Sequence, residues 1–458
     1  MIIKITNSKS YCLEGTVFEY TFLYNKLGVK VPNAWHIQSV KEGRWDGYYR
    51  FFNNHGKYFP TGLLTTVKNH LDTAGIKYNI VDERKKPIKQ FKINSSIELK
   101  SYQKRVFDII KNEDRGIIWL PVNAGKTYIA MQLIAELGVR TLWITRSIEL
   151  LRQTKKLIEE NLNITNIGII GAGVFDIQPI TLGMIQTLSK NAKNKWYMKD
   201  ISDSFDMVIF DEVHAVAKNT YERFVNDIDI YYKFGLSGTP KHRSDVDVTA
   251  MIGAFGDVIV KMDSKTLEEL GVSVPADINM IEIDNPKNSY EYTEAYDELI
   301  INNENRNSII AGIANDLMSS NKQTIIMVDR IAHGDLIKEC LKTYNIDAPF
   351  IYGEHTPKER QAVIDSFEAG DTKVLIASTI LNEGLNIKSI DCIIVAGAGM
   401  SPIKTIQRVG RVLRKRIGKD RALVIDFWDK NNAFLEAHSK KRLSTYKFEF
   451  GDVTLIEL

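Results

Sequence analysis

The sequence predicts an α/β protein: two lobes, each a parallel sheet wrapped by helices, preceded by a small α+β N-terminal domain. Three observations predict it. Short apolar runs such as 117–120 and 207–210 read as strands buried on both faces. Stretches of helical period separate them, so successive strands are joined by crossovers and run parallel. The alternation falters around residues 262–295 and then restarts, which marks a second lobe.

Residues 1–85 form the α+β unit. Residues 1–6 alternate like a strand. Residues 45–57 read as a hairpin with its turn around 53–56, and 62–74 have a helical period with Leu63, Leu64, Val67 and Leu71 on one side. The charged, Pro87-containing stretch that follows is a linker, set at 86–98. The first lobe spans 99–280, with strands at 117–120, 140–145 and 207–210 and a helix at 127–137. The second spans 281–430, with strands at 324–328, 350–352, 373–377 and 392–395. Residues 431–458 are a tail that begins basic and ends in alternating apolar residues.

With 458 residues, a hydrophobic fraction of 44% and 26% charged residues, the chain has length enough for two to four domains and a substantial core. The net charge is only +3, so the chain is no polycation. The charge is uneven: residues 1–90 hold fourteen Lys and Arg against seven Asp and Glu, a basic excess that suits a polyanion. Cys12, Cys340 and Cys392 have neither metal-ligand spacing nor the look of a disulfide framework, which fits a reducing compartment. The first residues turn polar too early for a signal peptide, and no apolar run reaches the length of a membrane span. The expectation is a cytoplasmic protein with no membrane partner, in the host cytoplasm if phage-encoded.

The chemistry sits in three places. In residues 407–414, Gln407, Arg411 and Arg414 follow i, i+4, i+7 and would share one helical face, a row of guanidiniums suited to phosphate. Asn123, Ala124, Gly125, Lys126 and Thr127 lie after a strand and before a helix, where backbone N–H groups and the helix N-terminus cradle phosphate. Lys126 would reach the β- and γ-phosphates and the Thr127 hydroxyl would hold Mg2+. Leu120 stands where the usual pattern has its first glycine. Asp211 and Glu212 follow the strand at 207–210: Asp211 is placed to hold Mg2+ through water and Glu212 to polarise the attacking water. An acidic helix start is the plainer reading of the same pair.

Taken in order, Tyr102-Gln103, Gly125-Lys126-Thr127, Asp211-Glu212-Val213-His214, Ser237-Gly238-Thr239-Pro240, Glu383-Gly384-Leu385-Asn386 and 407–414 resemble the motif series of superfamily 2 helicases across about 97–428. The resemblance implies RecA-like lobes, with ATP and Mg2+ as cofactors and the nucleotide between the lobes. It implies that Tyr102 and Gln103 bind adenine, that Glu383 and Gly384 line the nucleotide, and that Arg411 and Arg414 face the γ-phosphate. It gives His214, Ser237 and Thr239 the task of coupling hydrolysis to nucleic-acid contact. Asn386 departs from the Asp common in the family. Lys404, Arg408, Lys415, Arg416, Lys419 and Arg421 fit a face that binds nucleic acid directly, or one that is merely solvated.

The same resemblance points to Arg146, Gly171, Thr187, Arg330, Ser378 and Thr379 as backbone contacts, which position a strand without reading sequence. In the N-terminal unit, Trp35, Trp45, Tyr48, Tyr49, Phe51, Phe52, Tyr58 and Phe59 interleave with Arg44, Arg50 and Lys57. They read either as a stacking surface, with Arg44 and Trp45 at its centre, or as a small core. Residues 43–47 followed by a hairpin, 59–64 and a helix resemble UvsW-type phage helicases, most closely the branch-migration helicases of T-five-like phages. That implies an ATP-dependent DNA helicase or translocase acting on Holliday junctions, forks and R-loops in phage recombination, repair or replication. Its partners would be branched or duplex DNA and single strands, with RNA–DNA hybrids as a further substrate, and a monomer in solution. An RNA helicase, the motor subunit of a restriction-type complex and an ATP-switched clamp are the alternatives.

Overall fold

A computed structural model describes residues 1–213, 219–238, 244–286, 291–378, 387, 389–416 and 418–457; side chains at 219, 220, 357, 402–404, 407 and 411 lie outside the description. Two compact units are present, residues 1–120 with 125–261, and residues 121–124 with 262–458.

The first unit begins with β1 (Ile2–Ile5) and β2 (Lys9–Leu13), an antiparallel pair whose inward residues Ile3, Ile5 and Cys12 are buried. The helix Val17–Lys26 follows, started by a capping box between Thr16 and Glu19. Next come β3 (Gly28–Lys30), β4 (Tyr48–Arg50), β5 (Tyr58–Pro60) and β6 (Asn79–Asp82). The sheet order is β5-β2-β1-β6, with β3 and β4 forming a separate ribbon. The expected hairpin over 45–57 is therefore not one ribbon: β4 pairs with β3, β5 pairs with β2, and an Asn53–Tyr58 bridge closes the turn. Phe51 and Phe52 are the cause, since both are buried in the N-terminal core and draw the chain from one sheet to the other. The helix expected over 62–74 is present as Leu64–Thr73, after a short 3-10 turn.

This N-terminal region is seated on the rest of its unit. A Cβ on Gly62 would lie 2.0 Å from the Ile252 carbonyl oxygen, so the chain touches the backbone of helix Asp245–Phe255. Lys9 pairs with Asp227 at 2.8 Å, and the Tyr49 hydroxyl donates to Glu222 at 3.2 Å. The stretch expected as a linker is strapped down. Gln90 and Phe91 N–H groups donate to the Gly138 carbonyl at 2.8 and 2.9 Å, and Ser95 bonds Gln132 at 2.8 Å.

The large sheet of this unit contains β7 (Arg115–Trp119), β8 (Thr141–Thr145), β9 (Ile167–Gly171), β10 (Val174–Asp176), β11 (Ile180–Met184), β12 (Met207–Asp211), β13 (Tyr232–Ser237) and β14 (Val258–Lys261). Its order is β10-β9-β11-β8-β12-β13-β7-β14. Every pairing is parallel save β10 with β9. The carboxyl ends of the parallel strands thus share one edge, where α/β sheets bind ligands.

The second unit holds β15 (Ala276–Asp284), β16 (Thr324–Met327), β17 (Phe350–Ile351), β18 (Val374–Ala377), β19 (Cys392–Val395), β20 (Ala422–Lys430) and β21 (Val453–Ile456). All pair in parallel in the order β17-β18-β16-β19-β20-β15-β21. Apolar clusters cover both faces of the sheet. β15 straddles residue 280, the expected lobe boundary, because it pairs with β20 along nine residues. The segment expected as a tail supplies helix Ala433–Phe450 and the edge strand β21, with Leu435 and Tyr446 fully buried. The predicted architecture of two RecA-like lobes after a small α+β region is present.

Candidate nucleotide and nucleic-acid site

The loop expected to cradle phosphate leaves β7 and enters helix Lys126–Leu137. Asn123 and Gly125 take left-handed backbone angles, φ 68° and 75°. At Gly125 the angle is matched by crowding, since a Cβ there would lie 2.3 Å from Gln103 Nε2. Gln103 is buried, near the start of helix Ser101–Ile110, and its Oε1 accepts from the Lys100 N–H at 2.9 Å. Tyr102 is buried beside it and Ala124 is fully buried in the loop. The Lys126 ammonium folds back to donate to the Leu120 carbonyl at 3.0 Å. A phosphate arriving at the helix N-terminus would compete for that ammonium. Leu120, which breaks the usual glycine pattern, is therefore the residue that parks the lysine, through its main chain.

Asp211 ends β12, and Glu212 follows with φ 57°, a left-handed angle for a non-glycine residue at the mouth of the sheet. Burial and then Glu212 hold the Asp211 carboxyl above the usual carboxylate range, and Lys126 pulls it back down. A buried carboxylate raised by a neighbouring one fits a divalent cation, which would relieve it. Among the described residues no cluster of three or more His, Cys, Asp or Glu forms a metal cage. The Asp211 carboxylate and the Thr127 hydroxyl are the residues that would hold Mg2+, with water and phosphate oxygens completing its shell. Ser237 ends β13, fully buried, and its carbonyl accepts from the Leu120 N–H at 3.0 Å. The strand end carrying Ser237 is thus bonded directly to the phosphate loop. His214 and Thr239 lie outside the described residues.

The nucleic-acid candidates of this unit converge. Arg146 follows β8, Gly171 ends β9 and Thr187 follows β11, and these three strands are neighbours. Met184 pairs with Thr145, and Gly183 with Ile170, so the three ends lie level. The Arg146 carbonyl accepts from Gln186 Nε2 at 2.7 Å, tying two of them together. In the N-terminal region, Arg44 is exposed and ion-paired with Glu42, while Trp45 is half-buried with its indole N–H donated to the Tyr48 carbonyl at 3.0 Å. Phe51, Phe52 and Phe59 belong to the core, whereas Trp35 and Tyr48 remain exposed. The aromatic run therefore divides between core and surface.

In the second unit, Arg330 and Ser378 follow the adjacent strands β16 and β18, where Met327 pairs with Ala377. Arg330 is exposed; Ser378 is buried, with its N–H on the Ile351 carbonyl at 2.9 Å. Thr379, Glu383 and Gly384 lie outside the described residues, as do the side chains of Gln407 and Arg411. The single helical face expected for Gln407, Arg411 and Arg414 is corrected: the helix Pro402–Val412 ends before Arg414. Arg414 sits instead in a β-bridge to Ser273, backed by the Val274 N–H on the Leu413 carbonyl at 3.0 Å. Tertiary pairing overrides the helical spacing there.

Among the described basic residues near that helix, Arg408 and Lys419 are buried, while Lys415 and Arg421 are exposed. Arg408, on the helix, is ion-paired with Asp329 at 2.5 Å, and the Tyr296 hydroxyl donates to the same carboxylate at 3.3 Å. Arg416 pairs with Asp391, and Arg421 with Asp277. Lys419 is buried, and burial lowers its ammonium to about 8 while Ile390 and Val412 carbonyls accept from it. Asp329 was not foreseen as the anchor of Arg408; Gly397 and Gly399, whose added Cβ atoms would lie 2.3 and 3.3 Å from its Oδ2, were the available signal.

Comparisons with known proteins bear on the family. Residues 96–242 match the family described as Type III restriction enzyme, res subunit, and 306–416 match the Helicase conserved C-terminal domain. The ATP-dependent DNA helicase uvsW of Enterobacteria phage T4 is 26% identical over 84% of this chain and 82% of its own. The protein named "Probable helicase D10" of Escherichia phage T5 is 26% identical over 95% of this chain and 90% of its own. A Type ISP restriction-modification enzyme, LlaBIII, shares the fold with a TM-score of 0.62 and 15% identity, over 86% of this chain and 34% of that one. Among the described residues no helix is long and apolar enough to cross a membrane. The paired helicase modules and the relatives make this chain a superfamily 2 helicase, an ATP-hydrolysing enzyme.

Proposed function

We propose that the enzyme is a DNA motor that unwinds and branch-migrates branched duplexes such as four-way junctions and forks, with R-loops as a further substrate, and that it works as a monomer. The observation that carries the motor reading is the shared strand-end edge of the first unit. Lys126 and Asp211 lie at one part of it and Arg146, Gly171 and Thr187 at another, with Ser237 bonded to the loop that bears Lys126. DNA as the track is supported by the similarity to the phage T4 DNA helicase. Branched substrates are supported by the N-terminal region, whose basic excess and exposed Trp35 and Tyr48 suit a polyanion.

In this reading Lys126 neutralises the β- and γ-phosphates, and Thr127 and Asp211 hold Mg2+, whose charge supplies electrostatic stabilisation. Glu212 orients the attacking water. Arg411 and Arg414 stabilise the charge that spreads over the transferred phosphoryl group, with Arg414 as the arginine finger. Gln103 and Tyr102 bind the adenine. Arg146, Gly171, Thr187, Arg330, Ser378 and Thr379 hold the backbone, and Arg44 and Trp45 meet the branched substrate.

The test compares ATPase and strand exchange on a four-way junction, a fork, plain duplex, a single strand and an RNA–DNA hybrid. Stimulation strongest with the junction or fork is expected. No stimulation by any DNA would refute the motor reading, and stimulation by single-stranded RNA alone would make it an RNA helicase. Lys126→Ala is expected to bind DNA and lose turnover; unchanged hydrolysis would remove Lys126 from the site.

A further inference from the structure

At the far end of the same strand-end edge, β9 and β10 form a hairpin closed by two residues. Ala172 and Gly173 have φ 52° and 82°, the pair of positive angles that a type I′ turn requires. The turn extends past the carboxyl end of β9, where the neighbouring strands deliver Arg146 and Thr187. Its return strand exposes Val174 at 47% and Phe175 at 55%. The Phe175 ring packs 6.2 Å from Tyr197, on helix Lys195–Ser204. Beside Tyr197, at the start of that helix, Trp196 is 83% exposed, the most exposed of the large aromatic side chains described. Lys190, Lys193 and Lys195 precede it, all exposed. Asp176 and Asp200 are the nearest acidic residues in the two elements, and Lys199 is taken by Asp203.

Two large aromatic surfaces left in water near exposed lysines have a specific chemical complement. Bases stripped of their duplex partners present flat apolar faces, and their phosphates present the matching charge. A duplex keeps its bases stacked inside and offers nothing for Trp196 to cover. Building on the proposed DNA motor, we propose that Phe175 and Trp196 form a stacking platform for unpaired bases of a single strand, with Lys190, Lys193 and Lys195 on its phosphates. Arg146, Gly171 and Thr187 would hold the backbone of that strand, and the platform its bases.

The experiment measures binding of full-length protein to an oligo-dT strand, an abasic strand of equal length and a duplex. Phe175→Ala and Trp196→Ala are each expected to weaken oligo-dT binding roughly 5- to 150-fold, the equivalent of ~1–3 kcal/mol per stacked base. Trp196→Phe is expected to restore most of it. Binding of the abasic strand and of duplex is expected to stay within about twofold, as is basal ATPase. Trp196 is exposed enough that its loss leaves the fold intact, which the unchanged ATPase checks. Equal weakening on the abasic strand, or no weakening on oligo-dT by either variant, would overturn the platform while leaving the motor reading intact. Wild-type protein that binds none of the three nucleic acids would overturn the motor reading itself.

Discussion

Replacing Arg408 with methionine removes a guanidinium whose side chain is 4% exposed, from a partner, Asp329, that is 19% exposed. Truncating one member of a buried pair costs about 3–5 kcal/mol, because the other charge is stranded. Asp329 keeps some access to water and the Tyr296 hydroxyl, so a value at or below the bottom of that range, about 2–3 kcal/mol, applies. For a unit of about 200 residues that is a fall in Tm of roughly 4–12 °C. Arg408→Met with Asp329→Asn is expected to recover part of the loss, since no stranded charge remains. DNA binding separates this role from a phosphate contact. An arginine on a phosphate contributes about 0.9 to the salt slope of duplex affinity, roughly a 3.5-fold effect between 50 and 200 mM. The inward pair predicts an unchanged slope. Titrating duplex at several salt concentrations, beside thermal unfolding, measures both. A slope lower by about 0.9 with an unaltered Tm would refute the reasoning.

Gly125→Ala is expected to weaken nucleotide binding about tenfold or more, because it adds backbone strain of about 1–2 kcal/mol and displaces a pinned Gln103; a fluorescent ADP titration with unchanged affinity would contradict this. Lys233 is buried on β13, donates to the Val225 and Ile228 carbonyls at 3.0 and 2.9 Å, and is lowered by burial to about 7. Between about 7 and its unfolded value of 10.5 the unfolded chain binds the extra proton, so this group makes stability rise with pH across that window. Urea unfolding of wild type and Lys233→Met is expected to show a flatter rise in the variant between pH 7 and 9.5, and parallel curves would exclude the assignment.

The loops after strands were legible because their chemistry is local. A buried apolar run followed by Gly125-Lys126-Thr127 or Asp211-Glu212 carries its strand, and the residues proposed for its chemistry, in about ten residues. What was not legible depends on pairing far along the chain. β6 has four exposed residues and owes its place to β1, and β21 owes its place to β15. Arg414 has helical spacing from Arg411, yet a bridge to Ser273 holds it outside the helix. The arginines near it look like a nucleic-acid face until Asp329, Asp391 and Asp277 are placed opposite Arg408, Arg416 and Arg421. Nor does composition sort the N-terminal aromatics: Phe51 and Trp35 differ in which of them meets the core.

Gly62 bears on how such enzymes can be recombined. With no room for a Cβ against helix Asp245–Phe255, the N-terminal region and that helix are cut to one another. The helix in turn leads from β13, which ends in Ser237, toward β14 at the sheet's edge. A chimaera that exchanges residues 1–85 for those of a relative therefore has to carry its helix across as well. The transferable cassette is discontinuous in sequence, and grafts cut at the apparent linker would join two surfaces that do not fit.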